Sequence, residues 1–474
     1  MTSVKKNIGY QTVYQILATV LPLITAPYLS RVFGAENLGI FSYTTSVISY
    51  FTLFAMLGFI NYGTRTIASK RSNIVDRDRT FWEIYSLQLI TSLISITVYV
   101  LYLAFICREN RDIALIQSIA ILACFLDVNW FFFGTEQFSL TVKRNIFVKL
   151  TSVTLILLFV RKPSDLPLYT MIMTGSTAIS QIILWYYIPK NIKFYRIHFK
   201  DIIYHIRPVI TLFIPIMAMS VYQIMDKTML GIMSTRAESG YYFNADSIVN
   251  VPVNILIGFG MVLMPKISTL IFEEKHKEAD QLFLTSMRGV ILIGSALSLG
   301  IASVAKEFTP IFFGPGYEPC VTLIICFSPI LIIKGYSDAI RSQYLIPNRL
   351  DHIYIYSVFI GAGVNLIFNP LLIPKMGALG AVIGTLFAEI SSCTAQFIFV
   401  RKRINFWPAL QKSFVYIFCG LIMAAIVRIA ATLMHPGIIS LLIEILVGAF
   451  VYIILAGLYT WFRDTDLRRV LFNR

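Results

Sequence analysis

Residues 439–462 read ISLLIEILVGAFVYIILAGLYTWF, an apolar run of membrane-spanning length that contains one charged side chain, Glu444. The hydrocarbon core of a bilayer is crossed by about 20 residues of α-helix. A helix that is apolar on all its faces is buried in a protein core or in lipid. The stretch therefore predicts a membrane-spanning helix near the C-terminus.

Similar runs recur along the whole chain. Of its 474 residues, 57% are hydrophobic and 14% are charged, whereas soluble domains average about 45–50% and about 25%. This composition excludes a soluble enzyme and a disordered protein. Fourteen spans are predicted, near residues 7–30, 40–63, 82–106, 113–134, 146–160, 168–188, 208–232, 241–264, 287–308, 319–338, 353–373, 378–400, 413–433 and 439–462.

The basic residues predict the orientation of these spans. With the N-terminus placed in the cytoplasm, the inner segments hold 30 of the 40 Lys and Arg residues and the outer segments hold 10. Cytoplasmic loops of membrane proteins carry such an excess. We therefore expect a multi-pass membrane protein with both termini in the cytoplasm. The net charge of +15 follows from this topology, and no nucleic-acid partner is expected.

The sequence contains no motif of metal, hydrolytic or nucleotide chemistry. Its six cysteines form no CxxC pair, and neither an HExxH pattern nor a Walker A pattern occurs. Without a Walker A loop, this chain does not hydrolyse ATP by the P-loop mechanism. We accordingly predict no catalytic residues, no metal site and no cofactor, and any transport must be secondary or driven by the substrate gradient.

Two pairs of related segments indicate an internal duplication. GAENLGIFSY at 34–43 resembles RAESGYYFNA at 236–245, and the EQF…R pattern at 136–144 recurs as SQY…R at 342–349. Both pairs are separated by about 200 residues and lie in corresponding loops or span ends. Duplicated helical bundles commonly transport by alternating access around a site between the repeats. The pattern therefore favours a transporter over a channel.

The duplication predicts an all-α membrane protein with about 14 helices, arranged as two pseudo-symmetric six-helix lobes plus two C-terminal helices. The N-terminal lobe is expected at 1–192 and the C-terminal lobe at 208–402, with the appended helices and a cytoplasmic tail at 403–474. Apolar residues of 193–207 share one helical stripe, which predicts an amphipathic cytoplasmic linker helix. A solvated connector is the alternative interpretation.

Polar residues within spans are the best indicators of function, because each costs about 2.5–3.5 kcal/mol on insertion scales. Asp246, Asn250 and Asn254 follow one another at intervals of one turn, so they share a face of the eighth span. This hydrophilic stripe predicts a water-filled cavity that binds hydroxyl groups.

Charged residues within spans also admit a purely structural interpretation. Lys227 with Asp246, or Lys334 with Asp338, would form ion pairs that only neutralise each other. The hydrophilic stripe exceeds what two lysines require, and this favours the cavity.

Four motifs carry a resemblance to a known family. They are SRVFG at 30–34, NYGTR at 61–65, DVNWFFFGTEQ at 127–137 and DKTMLG at 226–231. In their order and spacing the chain resembles the Wzx-type oligosaccharide flippases of bacterial polysaccharide export. That family belongs to the MOP superfamily, which also contains MATE multidrug transporters and the lipid II flippase. The resemblance covers nearly the whole chain.

The resemblance implies a flippase that moves undecaprenyl-pyrophosphate-linked oligosaccharide across the cytoplasmic membrane for exopolysaccharide, capsule or O-antigen synthesis. It implies membrane lipids, a polysaccharide polymerase and other assembly proteins as partners. Such a substrate needs cations for its phosphates and neutral groups for its hydroxyls. The predicted substrate-binding residues are Arg31, Arg65, Lys227, Lys334, Gln11, Gln15, Asn250 and Asn254, and the predicted coupling or gating residues are Asp226, Asp246, Glu389 and Asp127.

Three alternatives were weighed against this interpretation. A cation-coupled MATE-like multidrug exporter would favour an acidic, aromatic cavity, and Lys227 argues against it. An integral-membrane enzyme would need a large outer loop with catalytic groups, whereas every predicted outer loop is short. A non-transporting scaffold leaves the hydrophilic stripe unexplained.

Overall fold

The computed structural model describes the backbone of residues 2–472 and the side chains of residues 17, 19–220 and 223–470. Within these residues the regular structure is helical throughout, with no strand, which confirms the all-α class. The chain divides into two compact units, Met1–Gly231 and Ile232–Arg474. The predicted lobe boundaries at 192 and 208 stay a prediction.

The first unit is built from nine helices of the described residues, with a 3-10 turn at Pro163–Asp165. They are α1 (Thr2–Met56), α2 (Phe59–Ser69), α3 (Ile74–Phe105), α4 (Arg111–Phe125), α5 (Asn129–Gly134), α6 (Phe138–Phe159), α7 (Leu166–Trp185), α8 (Ile188–Asn191) and α9 (Phe199–Met233), whose last residues pass the boundary.

The second unit contains nine more described helices, with a π-helical segment at Arg341–Leu345. They are α10 (Arg236–Phe272), α11 (His276–Phe313), α12 (Pro319–Phe327), α13 (Pro329–Ile340), α14 (Asp351–Met376), α15 (Ala378–Val400), α16 (Trp407–Thr432), α17 (Ile438–Phe462) and α18 (Thr465–Phe472).

The number of long helices agrees with the predicted fourteen spans. Eleven helical stretches of the described residues are long and apolar enough to cross a membrane. One of them runs through α1, although Gly34, at φ 68° and ψ 175°, separates two helices there. This backbone conformation is essentially confined to glycine. Splitting α1 at Gly34 and adding α6 and α7, of 22 and 20 residues, gives about fourteen.

The predicted linker is helical only in its second half. Residues 192–198 are not helical, and α9 begins at Phe199. Asp78 accepts a hydrogen bond from Lys193 N at 2.9 Å, and Trp82 Nε1 donates to Lys193 O at 3.0 Å. Because α3 satisfies the backbone N–H and C=O of Lys193, this residue needs no helical hydrogen bonds.

Glycines permit close helix contacts in the first unit. A Cβ on Gly63 of α2 would lie 2.7 Å from the indole ring of Trp130, and one on Gly134 would lie 2.8 Å from Ile67. Trp130 is fully buried, and its Nε1 donates to Gln88 Oε1 at 2.9 Å. Small residues let helix backbones approach closely in membrane proteins, and this contact sets α2 against α5.

Candidate functional site

A cavity of about 570 Å³ opens between α2 and α9 of the first unit. The two helices meet at Gly58, where an added Cβ would come within 2.6 Å of Val209 O. Beyond this contact, side chains at i, i+4 spacing face the same space. The lining residues are Tyr62, Arg65, Thr66, Ser69, Arg207, Pro208, Thr211 and Leu212.

The α2/α9 pocket is cationic and rich in hydroxyl groups. Arg65 and Arg207 are both exposed, and neither side chain has an ion-pair or hydrogen-bond partner among the described residues. Thr66, Ser69 and Thr211 add hydroxyl groups, and no acidic residue is among the eight that line the cavity. Guanidinium groups present forked N–H donors that match phosphate oxygens. The pocket therefore has the chemistry of a phosphate-type anion site.

A chain of buried polar groups lies behind the pocket wall. Tyr62 Oη lies 2.5 Å from Nδ1 of His205, and His205 Nε2 lies 3.0 Å from Glu83 Oε2. The exposed fraction is 8% for Tyr62, 2% for His205 and 8% for Glu83. Arg79 donates from Nε to Glu83 Oε1 at 3.0 Å and from Nη2 to Asp201 Oδ2 at 2.9 Å. These hydrogen bonds connect the pocket to the exposed ion pair between Arg79 and Asp201.

The other predicted binding residues of the first unit lie elsewhere. Arg31 is exposed and donates to Pro27 O at 2.8 Å. Asp226 is buried and Lys227 is half-buried, on the part of α9 that contacts α1 through Thr228 and Ser46 at 2.9 Å. The side chains of Gln11 and Gln15 lie outside the described residues.

Asp127 belongs to a polar network around α5. Its carboxylate accepts from Asn129 N at 2.9 Å, from Asn129 Nδ2 at 2.8 Å and from Gln181 Nε2 at 3.1 Å. Arg144 completes the network by donating to Asn129 Oδ1 at 3.0 Å. These bonds join α5, α6 and α7, so Asp127 has a structural role whatever its part in gating.

In the second unit the remaining predicted site residues lie in two places, at an ion pair between α13 and α15 and on one face of α10. Lys334 Nζ lies 3.2 Å from Glu389 Oε1, in an ion pair between α13 and α15. On α10, Asn250 Nδ2 donates to Asp246 Oδ1 at 2.7 Å, which places both on one face, and Asn254 is exposed one turn later. Asp338 pairs with Arg341 within its own segment.

Sequence reasoning identified Arg65 but missed its neighbours. Neither Arg207 nor His205 lies in a motif that indicates binding, metal or catalytic chemistry. The i, i+4 spacing of Arg207 and Thr211 was the available signal, since such residues share a helix face. Nothing in the sequence pairs α9 with α2.

Comparison with known proteins places these features in context. A family model described as "Polysaccharide biosynthesis protein" matches residues 4–271. The "Putative O-antigen transporter" of Escherichia coli (strain K12) is 24% identical over 406 residues, which cover 85% of this chain and 97% of that protein. The lipid II flippase MurJ of Bacillus subtilis (strain 168) is 23% identical over 192 residues, or 40% of this chain and 35% of that protein.

Solved structures show the same fold. A structure titled "Lipid II flippase MurJ, inward closed conformation" has a TM-score of 0.77 at 14% identity and covers 97% of this chain and 99% of its own. An inward-facing MATE-family multidrug resistance transporter of the MOP superfamily has a TM-score of 0.61 at 13% identity, covering 85% and 96%. At these identities the likeness concerns the fold alone.

Proposed function

The chain belongs to the polysaccharide biosynthesis protein family, and from this premise we propose that it is a flippase for lipid-linked oligosaccharide. Its substrate would be an undecaprenyl-pyrophosphate-linked repeat unit used for exopolysaccharide, capsule or O-antigen. The name of the Escherichia coli relative supports a transport role in polysaccharide export, and the name of the Bacillus subtilis relative supports a lipid-linked substrate.

The observation that carries the proposal is the α2/α9 pocket. A pyrophosphate carries several negative charges, and the two guanidinium groups supply matching N–H donors. The polyprenyl tail can remain in lipid, so the protein needs to enclose only the headgroup. A pocket lined with two arginines and no acidic residue is less suited to the cationic drugs that a multidrug exporter moves.

The proposed mechanism is alternating access between the two lobes. The pocket is proposed to open at the cytoplasmic end of α2 and α9, in line with the excess of Lys and Arg in the predicted inner segments, and to receive the pyrophosphate of the incoming precursor there. Arg31, Lys227 and Lys334 are proposed to contact the phosphates further along the path, with Gln11, Gln15, Asn250 and Asn254 on the sugar hydroxyls. Asp127, Asp226, Asp246 and Glu389 are proposed as coupling or gating residues.

The test is to deplete the protein in its native cell and to measure which leaflet holds the lipid-linked oligosaccharide. Accumulation on the cytoplasmic leaflet is expected, with complementation by the wild type and not by the Arg65→Gln/Arg207→Gln double variant. Arg196→Gln is the matched control, because Arg196 is exposed in the linker and does not line the pocket. Unchanged precursor with increased sensitivity to cationic drugs would contradict the proposal and favour a cation-coupled multidrug exporter.

A further inference from the structure

The hydrogen bonds behind the pocket have a direction that depends on the charge of His205. Glu83 accepts from Arg79 at one oxygen, and its other oxygen lies 3.0 Å from His205 Nε2. An ionised carboxylate can only accept. Nε2 must therefore carry a hydrogen atom. A neutral imidazole has a single N–H, so Nδ1 is then the acceptor and the Tyr62 hydroxyl donates its only hydrogen to it.

Protonation of His205 reverses the Tyr62–His205 hydrogen bond. Both imidazole nitrogens are donors in the charged form, so Nδ1 would donate to Tyr62 Oη. The hydroxyl hydrogen of Tyr62 is then released for another acceptor. Tyr62 lines the pocket, one helical turn before Thr66, another lining residue. The pocket would gain one hydrogen-bond donor when His205 takes up a proton.

Charge acts in the same direction as the hydrogen bond. The charged and titratable groups near His205 are Glu83 and Arg79 from α3, Asp201, Tyr204 and Arg207 from α9, and Tyr62 and Arg65 from α2. Glu83 carries a negative charge beside His205 Nε2, and the two arginines carry positive charge at the pocket. An anion between Arg65 and Arg207 would offset their positive charge and so favour protonation.

We propose that binding of a phosphate-type anion in the α2/α9 pocket is coupled to protonation of His205, which reverses the Tyr62–His205 hydrogen bond. Linkage makes the effect reciprocal, so protonation of His205 strengthens anion binding. The inference rests on the proposed function for the identity of the anion as the pyrophosphate of the precursor. His205 and Tyr62 act here as positioning residues that couple headgroup capture to pH.

The test measures binding of inorganic pyrophosphate to the full chain in nanodiscs. Calorimetry in buffers of different ionisation enthalpy gives the protons taken up per anion, between about pH 5 and 8, where histidines titrate. We expect wild-type affinity to fall by up to roughly tenfold per pH unit as the pH rises. Tyr62→Phe keeps both arginines and should bind with a smaller pH slope and less proton uptake.

The Tyr62→Phe comparison also removes the contribution of the probe. Pyrophosphate itself titrates, and this affects both proteins equally, so the difference belongs to the Tyr62–His205 pair. Equal slopes and equal proton uptake in the two proteins would overturn the inference. His205→Gln should also lose the protein's part of the pH slope, and because His205 is buried, the folding of this variant is checked by thermal unfolding before binding is measured.

Two further arms separate this inference from the proposed function. If Arg65→Gln/Arg207→Gln binds pyrophosphate as tightly as the wild type, the pocket is not the site and the inference fails, whatever the leaflet assay reports. Nanodiscs with and without phosphatidylglycerol distinguish a lipid phosphate from the precursor. Weaker pyrophosphate binding in phosphatidylglycerol, with the same proton uptake per bound anion, would support the switch and contradict the assignment of the pocket to the precursor.

Discussion

Gly63 has no side chain, and this lets α2, which lines the candidate site, pack closely against α5. It lies against the buried indole of Trp130, whose Nε1 is held by Gln88. In Gly63→Ala the new methyl group would lie 2.7 Å from the ring, so a helix or the ring must shift. Forcing atoms into a packed core costs about 1–3 kcal/mol, and thermal unfolding in detergent should show this loss.

The control for this substitution is Gly175→Ala on α7. An added Cβ at Gly175 meets no atom within 4 Å. Alanine in a helix is favoured over glycine by about 0.5–1 kcal/mol, so this variant should unfold at or slightly above the wild-type temperature. Equal stability of Gly63→Ala and the wild type would show that α2 and α5 are not packed as described.

Arg65 and Arg207 should contribute shape as well as charge to anion binding. Hydrogen bonds to charged groups are worth about 1.5–3 kcal/mol, so Arg65→Gln or Arg207→Gln should weaken pyrophosphate binding by about 10- to 100-fold. Arg65→Lys keeps the charge and loses the forked donor geometry, so its affinity should lie between those of Arg65→Gln and the wild type. Isothermal titration of the variants checks this order, and a lysine variant with full affinity would argue against paired guanidinium contacts.

At the scale of elements, a buried ion pair within the second unit holds the C-terminal segment against α11. Arg288 of α11 is 4% exposed and pairs with Asp464, which lies between α17 and α18. Asp464 is fully buried and also accepts a hydrogen bond from Tyr416 Oη at 3.1 Å. Asp464→Ala leaves a buried guanidinium without its main partner, which typically costs about 3–5 kcal/mol. Chemical denaturation in detergent should reveal this loss.

Asp466 is the matched control within the same segment. It lies 3.3 Å from Arg288 Nη2, but its side chain is 35% exposed. Exposed ion pairs contribute about 0–1 kcal/mol, so Asp466→Ala should change the stability little. Similar losses from Asp464→Ala and Asp466→Ala would contradict the distinction between a buried and an exposed pair.

Local patterns predicted the helices better than the segments between them. The periodicity of 193–207 favoured a helix from its beginning, but residues 192–198 are not helical. The backbone of Lys193 is held by Asp78 and Trp82, which are more than 100 residues away in the chain. Tertiary hydrogen bonds of this kind leave no trace in the local sequence, so periodicity alone could not exclude the helix.

At the scale of the whole molecule, the approximate number of membrane-spanning helices was predictable because a bilayer constrains both the length and the backbone hydrogen bonding of each span. Every spanning backbone must satisfy its own hydrogen bonds, so long apolar runs admit few structures. Of the candidate site, only Arg65 could be predicted, because it belongs to the NYGTR motif at 61–65. Arg207 and His205 lie about 140 residues further on, and only the packing of α9 against α2 brings them to the same pocket.

The orientation of the chain decides on which side of the membrane the pocket opens. The excess of Lys and Arg in the predicted inner segments predicts that both termini, and the pocket end of α2 and α9, lie in the cytoplasm. A C-terminal fluorescent-protein fusion should therefore fluoresce, and alkaline phosphatase fused after Lys162, in a predicted outer loop, should be active. Phosphatase fused after Arg403 should be inactive, as the inner-loop control. The reverse pattern would place Arg65 and Arg207 on the outer side. A precursor made in the cytoplasm would then meet them only after translocation, and the pocket would serve release of the headgroup instead of its capture.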